Sequence, residues 1–160
     1  AQEHRSCRRE VPLSHHTASI VRHETGDMRQ ETKAGRRFRT IKAWQKADDL
    51  AVLVYQQTRA FHRDEQYGLT SQIRRAAVSV VANIVEGSAR RSKQEYLQFL
   101  GIAKASLSEV SYYIHLSSRL AYVSTSQAGE LDSLCEEAAR TLYGLIQAVS
   151  RDNVAVAAAV

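Results

Sequence analysis

Tyr96-Leu-Gln-Phe-Leu-Gly-Ile-Ala-Lys-Ala-Ser-Leu-Ser-Glu-Val-Ser-Tyr-Tyr-Ile-His-Leu-Ser-Ser-Arg-Leu-Ala121 repeats an apolar or small residue in alternating steps of four and three. Tyr96, Leu100, Ala103, Leu107, Val110, Ile114, Ser117 and Ala121 therefore lie along one line of a helix. A spacing that averages 3.5 residues is the seam of helices that pack nearly parallel or antiparallel. Phe99, Ile102, Tyr113, Leu116 and Leu120 make a second apolar stripe, about 120° from the first at 100° per residue. Ser92 and Glu95, just upstream, have the S-x-x-E spacing of a capping box and mark the helix start.

The same pattern extends in both directions. Ala47, Ala51, Val54, Thr58 and Phe61 predict a helix from about Ile41 to Phe61. Between Gly68 and Gly87, taken as its start and its C-terminal stop, Ile73, Ala76, Ala77, Val80, Val81 and Ile84 cover one side of a further helix. Val78 and Val85 widen that arc, and Gln72, Arg75, Ser79, Asn83 and Glu86 form the remaining polar stripe. A last helix starts at Ser124 with Gln127 and carries Leu131, Cys135, Ala138, Leu142, Leu145 and Val149 on its seam. Short connections make successive helices antiparallel neighbours. The expected fold is all-α: an antiparallel up-down-up-down four-helix bundle over residues 39–150. The apolar faces exceed what one bundle seam needs, which points to self-association through the surplus, the alternative being a compact bundle that buries both stripes internally.

Outside the bundle, residues 1–38 show no sustained period and read as a disordered basic leader. Met28 is the sole methionine, and a start there makes residues 1–27 an over-extended reading of the chain. Residues 151–160 read as a flexible tail. The 160 residues carry a net charge of +5 and a pI near 9.4, which suits a polyanionic partner. Eight Lys/Arg and five Asp/Glu of that balance fall in residues 1–38, leaving fourteen against twelve, so local clustering must carry a nucleic-acid reading. Two cysteines, Cys7 and Cys135, give neither a disulfide framework nor a zinc spacing, and Cys135 reads as a reduced core thiol. With no secretory pattern and no apolar run of about 20 residues, the expected location is cytoplasmic.

The run Tyr67-Gly68-Leu69-Thr70-Ser71-Gln72-Ile73-Arg74-Arg75-Ala76-Ala77, followed by Asn83-Ile84-Val85-Glu86-Gly87, resembles the four-helix-bundle proteins encoded in intervening sequences of bacterial 23S ribosomal RNA genes. The resemblance continues through Phe99-Leu100-Gly101-Ile102-Ala103 and Ser106-Leu107-Ser108-Glu109, and spans roughly residues 38–149. His62 stands where that family often has proline, and Ala105 where it often has glycine. The resemblance implies a bacterial cytoplasmic protein that assembles as a homopentameric ring. It also implies kinship with accessory proteins of diversity-generating retroelements, which engage nucleic acid and a reverse transcriptase.

Candidate binding residues are Arg74, Arg75, Arg90, Arg91 and Lys93, which flank the second helix; the last three lead into a helix N-terminus, favourable to phosphate, while Arg75, on the polar stripe with Glu86, also reads as a structural hydrogen-bonding residue. Gln72, Asn83 and Glu86, with Phe99, Ile102, Tyr113, Leu116 and Leu120, are the candidate oligomer interface. Di-iron bundles need Glu-x-x-His pairs, and no glutamate here has a histidine three residues on. No phosphate loop or nucleophile elbow is present, so no cofactor, metal or enzyme activity is expected. Two functions remain: a non-catalytic oligomer that binds RNA or DNA, or an oligomeric scaffold for a polymerase, reverse transcriptase or ribosome-related protein.

Overall fold

A computed structural model describes residues 37–151. The readings of the leader, of Met28 and of the tail lie outside these residues. A single 3₁₀ turn, Arg37–Thr40, leads into α1 (Lys42–Gln57), followed by α2 (Leu69–Ser88), α3 (Lys93–Arg119) and α4 (Thr125–Arg151). The chain is an all-α four-helix bundle, with no strand among the described residues. Each helix packs on the next and α4 closes back on α1. Polar contacts give the relative direction. Arg74 at the start of α2 bonds Thr58 beyond the end of α1, Lys93 at the start of α3 bonds Ser150 at the end of α4, and Lys46 in α1 pairs with Glu137 in α4 at 3.1 Å.

The α3 seam is the middle of the core. Leu100, Ala103, Leu107, Val110, Ile114 and Ser117 are buried, and the hydroxyl of Ser117 donates to the Tyr113 carbonyl at 2.7 Å, so its burial leaves no orphan donor. Facing it are Leu50 and Val54 of α1, Ile73, Val80 and Ile84 of α2, and Leu131 and Leu142 of α4. Each such side chain contributes about 1.5–3 kcal/mol on burial. Alanines at 43, 47, 51, 76 and 77 are buried between them and allow close helix approach.

Several boundaries differ from the sequence pattern for identifiable reasons. Beyond Gln57 the chain tightens into a 3₁₀ turn, Thr58–Ala60, and Phe61 turns extended. The Thr58 hydroxyl bonds the Val54 carbonyl at 2.7 Å, competing with continuation of the ladder, and Phe61 packs on Tyr122 with ring centroids 5.4 Å apart. Gly87 is not a C-terminal stop: α2 runs to Ser88, and no glycine among the described residues has positive φ. Glycine is needed there because a Cβ would lie 2.7 Å from the Tyr96 ring and 3.0 Å from Phe99 Cβ. Ala121 is not a seam residue either. It follows the end of α3 at φ 56°, while Ala121 and Tyr122 N–H bond the Ser118 and Ser117 carbonyls, a Schellman ending with alanine where glycine is usual.

Starts are more regular. Ser92 Oγ accepts from Glu95 N–H at 3.1 Å, and Ser124 and Gln127 cap each other reciprocally at 2.8 and 3.2 Å. For α2 the cap comes from outside the helix. Glu65 accepts Leu69 N–H on one carboxylate oxygen at 2.9 Å and the Tyr122 hydroxyl on the other at 3.0 Å, joining the α1–α2 and α3–α4 connections. That hydrogen bond is the main reason the Tyr122 hydroxyl titrates above its ordinary range.

Most of the second α3 stripe stays outside this core, with Tyr113 packed against its edge. Phe99, Tyr113 and Leu116 are half-buried, while Ile102 and Leu120 are 44% and 47% exposed. On α2, Val78 is 46% exposed. A single chain therefore leaves the surplus apolar faces open.

Ala121→Gly should raise unfolding free energy by about 0.5–1 kcal/mol. Relief of a left-handed alanine (roughly 1–2 kcal/mol) exceeds the entropy glycine adds to the unfolded chain. Gly87→Ala should lower it by about 1–3 kcal/mol despite alanine's better helix propensity, because the Tyr96 ring must move. Urea midpoints at unchanged m-value measure both.

Candidate nucleic-acid interface

Antiparallel order brings the start of α1, the end of α2, the start of α3 and the end of α4 to one end of the bundle. Arg39, Lys42, Arg90, Arg91, Lys93 and Arg151 are there, against Glu86 and Glu95. The opposite end is closer to balance, with Arg59, Arg63, Arg74 and Arg119 against Asp64, Glu65 and Glu130. Within the basic end the cations differ in how committed they are. Arg90 pairs with Glu86 one turn back and lies 4.8 Å over the Phe99 ring. Lys93 donates to the Ser150 carbonyl at 2.7 Å, satisfying a C-terminal carbonyl of α4 with a charge its dipole favours. Arg91 is exposed and has no hydrogen-bond or ion-pair partner among the described residues.

Arg90, Arg91, Ser92, Lys93, Tyr96 and Val149 line a cleft of about 290 Å³ at this end. Burial raises the Tyr96 hydroxyl above its ordinary range, so the ring stays neutral up to strongly alkaline pH. On the α1 side, Phe38 and Trp44 meet edge to face at 5.0 Å, with the Arg39 guanidinium 6.0 Å from the Phe38 centroid.

Arg74 and Arg75 do not join this cluster. They sit near the start of α2, and the fifteen residues from Arg75 to Arg90 correspond to roughly 22 Å of helix. Arg74 donates from Nε to the Thr58 hydroxyl at 2.7 Å and covers Tyr55 at 4.9 Å, tying α2 to α1. Arg75 bonds Gln72 at 3.0 Å and lies 3.8 Å from Glu109 of α3. Asn83 donates to the Ser79 carbonyl at 2.8 Å, and Ser79 shares a hydrogen bond with Ser106 of α3. Gln72, Asn83 and Glu86 thus have partners within the chain, along the α2–α3 boundary. The sequence reading missed Arg39, Lys42 and Arg151. Their signal was positional: once the helices alternate in direction, first residues of odd helices and last residues of even ones must meet.

A second concavity, about 440 Å³, runs between α3 and α4 over Leu107, Cys135 and Leu142, with Lys104, Asp132 and Glu136 at its edges. Burial, with Asp132 and Glu136 adding to it, pushes the Cys135 thiol from 9.0 up to about 11. Among the described residues no three His, Cys, Asp or Glu side chains are grouped to hold a metal ion, and no helix is long and apolar enough to cross a membrane.

These features define a class: a small four-helix bundle with one cationic, aromatic-lined end and unfilled apolar stripes on its flank. Residues 39–144 match the family described as 23S rRNA-intervening sequence protein. The chain belongs to that family. It is also similar to the crystal structure of a protein with unknown function from the S23 ribosomal protein family of Bacteroides thetaiotaomicron VPI-5482. The TM-score is 0.59 at 24% identity, over 65% of this chain and 97% of that one, and the likeness carries the fold alone. Among curated proteins none matches.

Cys135 makes the α3–α4 packing measurable by titration. The unfolded thiol ionises first, near 9.0, and the folded one near 11, so the native state loses stability as pH rises through that interval. The gap in unfolding free energy between the wild type and Cys135→Ala should narrow from pH 9 to pH 11. A gap independent of pH would contradict the buried neutral thiol.

Proposed function

We propose that the protein is a non-catalytic, self-associating bundle that binds nucleic acid, RNA foremost, through the cations at the α2–α3 end. The observation that carries this reading is the uneven charge: six cations against two carboxylates at one end, and four against three at the other. Arg91 is the residue best placed to bind phosphate, and Arg39, Lys42 and Arg151 extend the surface around it. Phosphate contacts of this kind supply affinity without reading bases. A few per chain bind weakly, and assembly through the open stripes of α2 and α3 multiplies them, with avidity gains that need no new contact. Five copies, a cytoplasmic location and kinship with retroelement accessory proteins are what the resemblance adds to the proposal.

The exposed part of the second α3 stripe favours one other reading, a scaffold whose partner is a polymerase, reverse transcriptase or ribosome-related protein. The exposed Ile102 and Leu120, with the half-buried Tyr113 and Leu116 beside them, would dock it. The pairing of Arg90 with Glu86 lends this reading some weight, because it removes one cation from the rim.

Filter binding of the full chain to RNA and DNA at two salt concentrations separates the readings. On the nucleic-acid reading, retention falls steeply with salt, and Arg91→Ala lowers affinity and reduces the log–log salt slope by about one per engaged copy. No retention at low salt, or retention indifferent to salt, would sink it and leave the scaffold.

A further inference from the structure

The basic end carries more than charge, and the excess is aromatic. Tyr96 lines the cleft with Arg91 and Val149 while its ring also packs toward Gly87 and the core, Phe99 lies under the Arg90 guanidinium, and Phe38 and Trp44 stand beside Arg39. All four rings are half-buried, each keeping part of its surface at the protein boundary. A surface that only follows a duplex backbone has no use for rings, since paired bases already stack on one another. Unpaired bases, by contrast, gain by stacking on aromatic and guanidinium planes. The shape agrees: the feature is a recess between the start of α3 and the end of α4, not a ridge that could enter a groove.

We infer that the cleft lined by Arg90, Arg91, Ser92, Lys93 and Tyr96 takes an unpaired nucleotide, so that the partner is single-stranded nucleic acid in preference to duplex. The inference rests on the nucleic-acid reading above and specifies its ligand. Tyr96 supplies the stacking surface and Arg91 the phosphate contact. Ser92 caps α3 through Glu95 N–H, and Lys93 is tied to Ser150, so the wall of the recess is held before any strand arrives.

The test is fluorescence anisotropy on the full chain with labelled oligo(U), oligo(dT) and an RNA duplex of equal length. Either single strand should bind at least about tenfold tighter than the duplex. Tyr96→Leu should weaken single-strand binding about tenfold and leave duplex binding unchanged, Tyr96→Phe should keep wild-type affinity, and Arg91→Ala should weaken both ligands. Light scattering and circular dichroism on each variant confirm that mass and helicity are retained. Duplex binding equal to single-strand binding, or a Tyr96→Leu loss shared equally by both, overturns the inference while the nucleic-acid reading survives. Binding of neither ligand overturns both.

Discussion

Burial of the α3 seam is the constraint on which the remaining structure depends. Six of its residues are removed from water, and each neighbouring helix is built to meet them at close range, with leucine, isoleucine and valine set between alanines. Antiparallel packing of helices of 16 to 27 residues, each longer than the connections beside it, then leaves little freedom in where the ends lie. The charge pattern at those ends is a consequence of the packing order. No local motif could create it, because its members come from the start of α1, the α2–α3 connection and the end of α4.

That distinction explains what could be read directly from the residues. Periodicity exposed the helices because burial on one face imposes a 3.5-residue spacing on the chain itself. Caps at Ser92 and Ser124 were legible because they act within three residues. Gly87 was legible as important and misread in kind: a glycine that permits a left-handed turn and one that admits a neighbouring ring look alike until the neighbour is known. Ala121 was absorbed into the seam because its spacing fitted, whereas its backbone lies outside the helix. The binding candidates fared less evenly. Arg90, Arg91 and Lys93 stand together as their sequence proximity suggests, but Arg74 and Arg75 are bonded to Thr58, Gln72 and Glu109 some distance away. Nothing in a one-dimensional reading separates an arginine that staples two helices from one that faces solvent.

The two ends of the molecule differ in consequence. At one end polar groups are paired with each other, through Glu65, Tyr122, Gln57 and Gln127, and charge is closer to balance. At the other, carboxylates are scarce, and Arg91 is left without a partner among the described residues. Paired and unpaired polar groups are thereby segregated along the bundle axis, and apolar stripes stay open on its flank.

The shared carboxylate of Glu65 has a bearing on motion. By holding the first amide of α2 and the hydroxyl of Tyr122 together, it couples two hairpins whose connections are far apart in sequence. Opening either connection therefore breaks a contact of the other, which couples local opening of the two hairpins at that end.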